Sequence, residues 1–231
     1  MYFTPYFDPL YLLFALPALI IGIIATIFVR IAYSINSKKI NVKGYTGLDT
    51  VTMIAEKYRY NIDIKQGFGS LEDNYNPINK TITISQDVAK IPSVASVGIA
   101  AHEMGHVAQH QSGFFLMNIR TFFVPIINIG SNLGYVLLIL GIIINFTGLA
   151  WLGIILFSGA TIFTLITLPI ELDASRRAIN MIHTLGLVDQ TQIGGVKQVL
   201  GAAALTYISA TIQSLGTLLY FIFRVSRMNR D

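Results

Sequence analysis

In Ala100-Ala101-His102-Glu103-Met104-Gly105-His106, two histidines stand four residues apart with a glutamate directly after the first. On an α-helix this H-E-x-x-H spacing puts both imidazoles on one face, one turn apart, where they can close on a single metal ion. Glu103 shares that face beside His106 and is placed to accept a proton from a water that a zinc ion has acidified. The flanking residues support a helix. Pro92-Ser93 offers a start with Ser93 as N-cap, Val94, Val97, Ile99, Ala100 and Ala101 continue it without a breaker, and Gly113 can end it. The competing reading is two ordinary core or surface histidines.

Composition sets the surroundings of this helix. Of 231 residues, 53% are hydrophobic and only 12% charged, about half the charge of an ordinary soluble domain. Mean hydropathy is +0.61. Much of the chain therefore has the bilayer as its solvent. Cysteine is absent, which excludes disulfides and thiolate zinc ligands and leaves His, Asp and Glu. The four histidines are His102, His106, His110 and His183. The net charge of +4 is spread along the chain, so it speaks for membrane topology and against nucleic-acid binding.

Residues 10–29 form an uncharged run long enough to span a bilayer. No Lys or Arg precedes it and no small-residue cleavage site follows, so a retained anchor (residues 1–33) fits better than a signal peptide. Arg30, Lys38, Lys39 and Lys43 follow closely, which places the N-terminus outside and the next segment in the cytoplasm. Residues 34–120 carry the soluble chemistry. Within them 46–58 reads as an amphipathic helix, 60–64 as a strand, 67–70 as a turn, 73–77 as a second turn, and 80–85 as a strand. The strand before the metal helix would offer a free edge to an extended substrate, unless the pair is a plain structural hairpin.

After Arg120 no charge appears until Glu171. That stretch, 121–170, suits two spans with a break near Asn145-Phe146-Thr147-Gly148. A hairpin of spans returns the chain to the side it left, so Glu171 emerges on the side of His102 and His106. Residues 171–198 then read as a helix leaving the membrane, with a polar linker over 183–197. Residues 199–231 form a third apolar region with a basic tail. If 199–223 crosses, Arg224, Arg227 and Arg230 end outside, against the positive-inside rule; a re-entrant or interfacial helix avoids this.

A hydrolytic zinc has three protein ligands and one open position. The longer pattern H-E-x-x-H-x-x-G-x-x-H fails, because Gln109 and Ser112 stand where it needs Gly and His. His110 is carried away by helix geometry. Glu171 is the preferred third ligand. Asp173 is the runner-up, better suited to supporting a ligand histidine. A carboxylate snorkelling to the interface is the competing view of Glu171. Arg176, Arg177, His183 and Tyr207 are candidate donors to the oxyanion of the transition state.

The motif with its flanks through Gln109 resembles the signature of the YugP-type membrane zinc metallopeptidases of bacteria. So do the turn from Asp73 to Pro77, the run from Leu168 to Arg177, and Ala202-Ala203-Ala204-Leu205-Thr206-Tyr207. The resemblance covers nearly the whole chain in the same order. It implies a gluzincin-type site distantly similar to that of the HtpX-like proteases, with His102, His106 and Glu171 on zinc and Glu103 as base. Asn74 and Asn76 depart from the family's Asp-His-Tyr-Asp-Pro turn. Ser175 stands where the HtpX-like pattern has an aspartate.

The expected protein is thus a mainly α membrane protein, with transmembrane helices and a small α+β zinc-peptidase part containing a short β-hairpin or sheet. It would be a zinc endopeptidase of the bacterial inner membrane, multi-pass, with its site on the cytoplasmic side. Its substrates would be peptides or membrane proteins, with the bilayer as partner and a second copy or another membrane protein left open. A membrane scaffold or assembly subunit with a structural metal site is the alternative, and Glu103 argues against it, since a structural site has no use for a base. A transporter fits poorly, because no charge lies inside a span.

Overall fold

The structure is a computed structural model that describes residues 9–67, 69 and 72–228, without the side chains of residues 9, 10 and 128. Phe68 and Ser70 of the expected 67–70 turn, and Arg230 of the basic tail, lie outside the described residues. The protein is a mainly α membrane protein with one small sheet. In chain order the elements are α1 (Pro9–Lys38), α2 (Gly47–Tyr58), β1 (Asp63–Gln66), β2 (Asn74–Asn76), β3 (Thr81–Ile84), α3 (Gln86–Lys90), α4 (Val94–Gln111), α5 (Phe115–Ile143), α6 (Thr147–Leu185) and α7 (Ile193–Arg227). A short 3-10 turn, Gln190–Gln192, precedes α7.

The chain forms two compact units. One takes in Ala25–Thr121 and Pro169–Leu205. The other takes in Phe122–Leu168 with the described parts of Met1–Ile24 and Thr206–Asp231.

In the first unit α4 is the central helix. Its apolar residues Val94, Val97, Ala100, Ala101, Met104 and Val107 are fully buried, as expected of a helix packed at the centre of its unit. Ser93 caps it, its side chain accepting from the Ser96 amide at 3.0 Å. Gly113, at φ +65°, follows its end. Helix α2 packs against it, started by a capping box: the Thr46 hydroxyl accepts from the Asp49 amide at 3.1 Å and the Thr46 amide donates to the Asp49 carboxylate at 2.9 Å.

The sheet has the order β1-β3-β2, with β1 parallel and β2 antiparallel to β3. This corrects two expectations. The 73–77 segment is not simply a turn, because β2 occupies its centre and buries Tyr75 against the unit. The strand before α4 has no free edge, because β3 is paired on both sides. The edges belong to β1 and β2, and β2 is the strand packed against α4. The expected polar linker over 183–197 is also shorter, since α6 runs to Leu185 and α7 begins at Ile193. Burial of Ile182, Leu187, Val188 and Val196 holds these polar-flanked turns in place.

In the second unit α5 and α6 are separated by residues 144–146, with Asn145 in the left-handed region at φ 55°. The Phe146 amide returns to the Gly141 carbonyl at 2.8 Å. Glycines let these helices approach: a Cβ on Gly141 would fall on Ala150, and one on Gly153 on Leu138. Leu138, Ala150, Ile154, Phe221 and Val225 form the core. Thr164 and Ser214 hydroxyls bond at 2.8 Å between α6 and α7.

Three helices are long and apolar enough to cross a membrane: Tyr11–Lys38, Thr147–Leu185 and Gln190–Arg227. The two arms of α5, bent by 44°, pass the same test together. Pro125 lies inside α5 beside the bend and removes one backbone donor there.

Candidate metal centre

Helix α4 presents His102 and His106 one turn apart, their rings nearly perpendicular with centroids 4.9 Å apart. The lower part of α6 crosses this face closely, because residue 105 is glycine: a Cβ there would fall on the Ala174 carbonyl. That approach brings Glu171 to the histidines. One of its oxygens, Oε2, lies 3.2 Å from His102 Nε2 and 3.5 Å from His106 Nε2. His102, His106 and Glu171 are the one group among the described residues whose ligand atoms gather in this way, all within 4.8 Å of one another.

These separations fit a metal. Zinc–nitrogen and zinc–oxygen bonds of about 2.0–2.2 Å in tetrahedral geometry put neighbouring ligand atoms about 3.3–3.6 Å apart. Two neutral imidazole nitrogens and one carboxylate also make a donor set that zinc accepts.

The atoms pointing away from this focus are all held. His102 Nδ1 is 3.1 Å from the Ser175 hydroxyl, one turn after Glu171 on α6. His106 Nδ1 is 3.0 Å from Gln109 Oε1. Arg120, at the start of α5, donates to Glu171 Oε1 at 3.2 Å and leaves Oε2 facing the histidines.

Glu103 is buried on the same helix, and burial pushes its carboxyl above the usual carboxylate range, partly offset by the charges of His106 and His102. Burial draws the His106 imidazole down, but hydrogen bonding to Glu171 and the charges of Glu103 and Glu171 together raise it above 6.5.

The other sequence candidates separate. Asp173 does not touch a histidine. It accepts from Gln109 at 3.1 Å, from Arg176 at 2.6 Å and from Arg177 at 2.6 Å, and so reaches His106 only through Gln109. Arg176 and Arg177 are engaged by Asp173, and Arg177 also donates to the Ser112 hydroxyl at 3.3 Å. His183 is exposed near the end of α6. Tyr207 lies on α7 in the other unit. His110 is not part of the metal group; its Nδ1 lies 2.7 Å from the Tyr75 hydroxyl.

Sequence reasoning missed Arg120, Gln109 and Ser175. The available signals were Arg120 as the last cation before a charge-free run, Gln109 ending the motif, and Ser175 one turn beyond Glu171.

No solved structure matches the chain. One relative, "Putative membrane protease YugP" of Bacillus subtilis (strain 168), is 37% identical over 180 residues, covering 78% of this chain and 80% of that protein. A family model described as "Putative neutral zinc metallopeptidase" matches residues 11–226. With the match running over nearly its whole length, the chain belongs to this neutral zinc metallopeptidase family.

Proposed function

We propose that the protein is a membrane-embedded zinc endopeptidase of gluzincin type, with His102, His106 and Glu171 holding the metal and Glu103 as general base. The observation that carries this is the convergence of both Nε2 atoms on one Glu171 oxygen at 3.2 and 3.5 Å, with the buried Glu103 carboxylate near enough for the charges of both histidines to act on it. Zinc held there supplies Lewis acidity, polarising the scissile carbonyl and lowering the pKa of a water to about 7.

The chain's own residues do the rest. Glu103 takes a proton from the water as its oxygen attacks the peptide carbonyl, then passes it to the amine nitrogen as the C–N bond breaks. Its buried setting strengthens it as a proton acceptor. Arg120 keeps Glu171 Oε1 occupied, so that the carboxylate presents one oxygen to the metal. Edge strand β2, packed against α4, is suited to pair with an extended peptide backbone.

The apolar helices anchor this chemistry in a bacterial inner membrane. The basic residues after α1 and around α6 favour the cytoplasmic side for the site.

The test is Glu103→Gln, which preserves shape and removes the proton acceptor. Purified from detergent, this variant should hold zinc in wild-type amount while casein-type proteolysis falls by at least about a thousandfold. Activity within tenfold of wild type would refute the base.

A further inference from the structure

We propose that Gln109 is the positioning residue that fixes His106 as a ligand through Nε2, by carrying the hydrogen-bond polarity of α6 into α4. The proposal rests on the zinc-site reading above and deepens it.

Gln109 is fully buried, so its amide must find partners within the protein. Its Nε2 donates to the Ile170 carbonyl at 2.7 Å and to Asp173 Oδ2 at 3.1 Å. Both partners are acceptors only. The amide cannot be turned over, because its oxygen would then face a carbonyl and a carboxylate with no proton between them. Oε1 therefore has to face His106 Nδ1, at 3.0 Å. An amide oxygen can only accept, so Nδ1 must carry the proton. In a neutral imidazole this leaves the lone pair on Nε2, the nitrogen aimed at the focus shared with His102 and Glu171.

Asp173 is anchored in turn by Arg176 and Arg177 at 2.6 Å each. The chain from arginines to aspartate to glutamine to histidine thus runs from the outside of α6 to the metal face of α4. Asp173 supports the metal at one remove, although it meets neither histidine. A glycine at position 109, as in the longer zinc motif, could not provide this link.

Two measurements test this. Zinc-loaded wild-type protein labelled with 15N-histidine has four rings to assign, each identified by a single His→Gln variant. His106 should show a hydrogen-bonded proton on Nδ1 and a metal-bound Nε2. A His106 bound through Nδ1, or with Nδ1 unprotonated, would overturn the proposal without any variant of Gln109 having to fold.

The second is zinc affinity by chelator competition. Gln109→Leu, of similar size and without polar atoms, should weaken zinc about 10–100-fold. Gln109→Glu, which sets a carboxylate against Asp173 and the Ile170 carbonyl, should weaken it too, and adding Asp173→Asn should recover part of the loss by restoring a donor. A loss under tenfold in Gln109→Leu, or no recovery in the double variant, would overturn the proposal. His106→Ala separates the two readings. If it loses zinc while Gln109→Leu does not, the metal site stands and Gln109 has no positioning role. If it retains zinc in full, the metal site itself is wrong.

Discussion

At the scale of single residues, the centre depends on how few groups could complete it. With no cysteine and four histidines in the chain, the third ligand we propose comes from far along the sequence. Glu171 is the carboxylate that meets both Nε2 atoms. Glu171→Ala should therefore reduce zinc affinity by more than the 10–100-fold typical of losing a supporting group, and abolish peptidase activity. Asp173→Ala, acting through Gln109, should be milder on metal content, and His110→Ala should leave it unchanged. Metal analysis of the three purified variants checks this, and full zinc content in Glu171→Ala would contradict it. The motif histidines and the glutamate were legible from spacing alone, because helix periodicity fixes which side chains share a face. Arg120, Gln109 and Ser175 were not. Their roles depend on how α4, α5 and α6 lie together, and no local pattern encodes that.

At the scale of elements, the close crossing of α4 and α6 is what delivers Glu171, and Gly105 permits it. Gly105→Ala would drive a methyl into the Ala174 carbonyl. It should cost about 1–3 kcal/mol of stability and lower zinc affinity together with it, by thermal melting and chelator competition. Unchanged values in both would show that the helices have room to spare.

The end of the β2–β3 pair where Asp73 precedes β2 and Ser85 follows β3 gives a pH prediction. The Asp73 carboxylate accepts from the Ser85 amide and hydroxyl, both at 2.8 Å. Burial nevertheless raises it above its usual range, outweighing those hydrogen bonds. A raised carboxyl takes up its proton in the folded state at a higher pH than in the unfolded chain. Wild type should therefore gain stability relative to Asp73→Asn as pH falls from about 7 towards 4. Melting curves across that range check the sign, and a gap moving the other way would contradict it. Asn74, Asn76 and Pro77 are turn formers, and a three-residue strand burying only Tyr75 is too short for alternation to outweigh them. Parallel pairing of β1 with β3 is set by long-range contact and has no local signal.

At the scale of the whole molecule, the charge-free run between Arg120 and Glu171 carried most of the legible information. It predicted two long apolar helices with a break, and the break falls at residues 144–146. The extent of α6 and α7 was less legible. Polar residues of the expected linker, among them His183, Thr184 and Lys197, lie inside these helices, where burial of neighbours such as Ile182, Ile193 and Val196 overrides their composition. Because the chain has no cysteine, single introduced cysteines give a clean topology test. Positions 38, 80 and 177 should label from the cytoplasmic side and position 146 from the other. Labelling of 80 and 146 from the same face would contradict the proposed hairpin. The central claim is the composition of the metal centre, and anomalous diffraction at the zinc edge on crystals of the wild-type protein tests it most directly. The account predicts one peak, about 2.0–2.2 Å from His102 Nε2, His106 Nε2 and a Glu171 carboxylate oxygen. A peak bound instead by Asp173, His110 or His183, with Glu171 turned away, would contradict it.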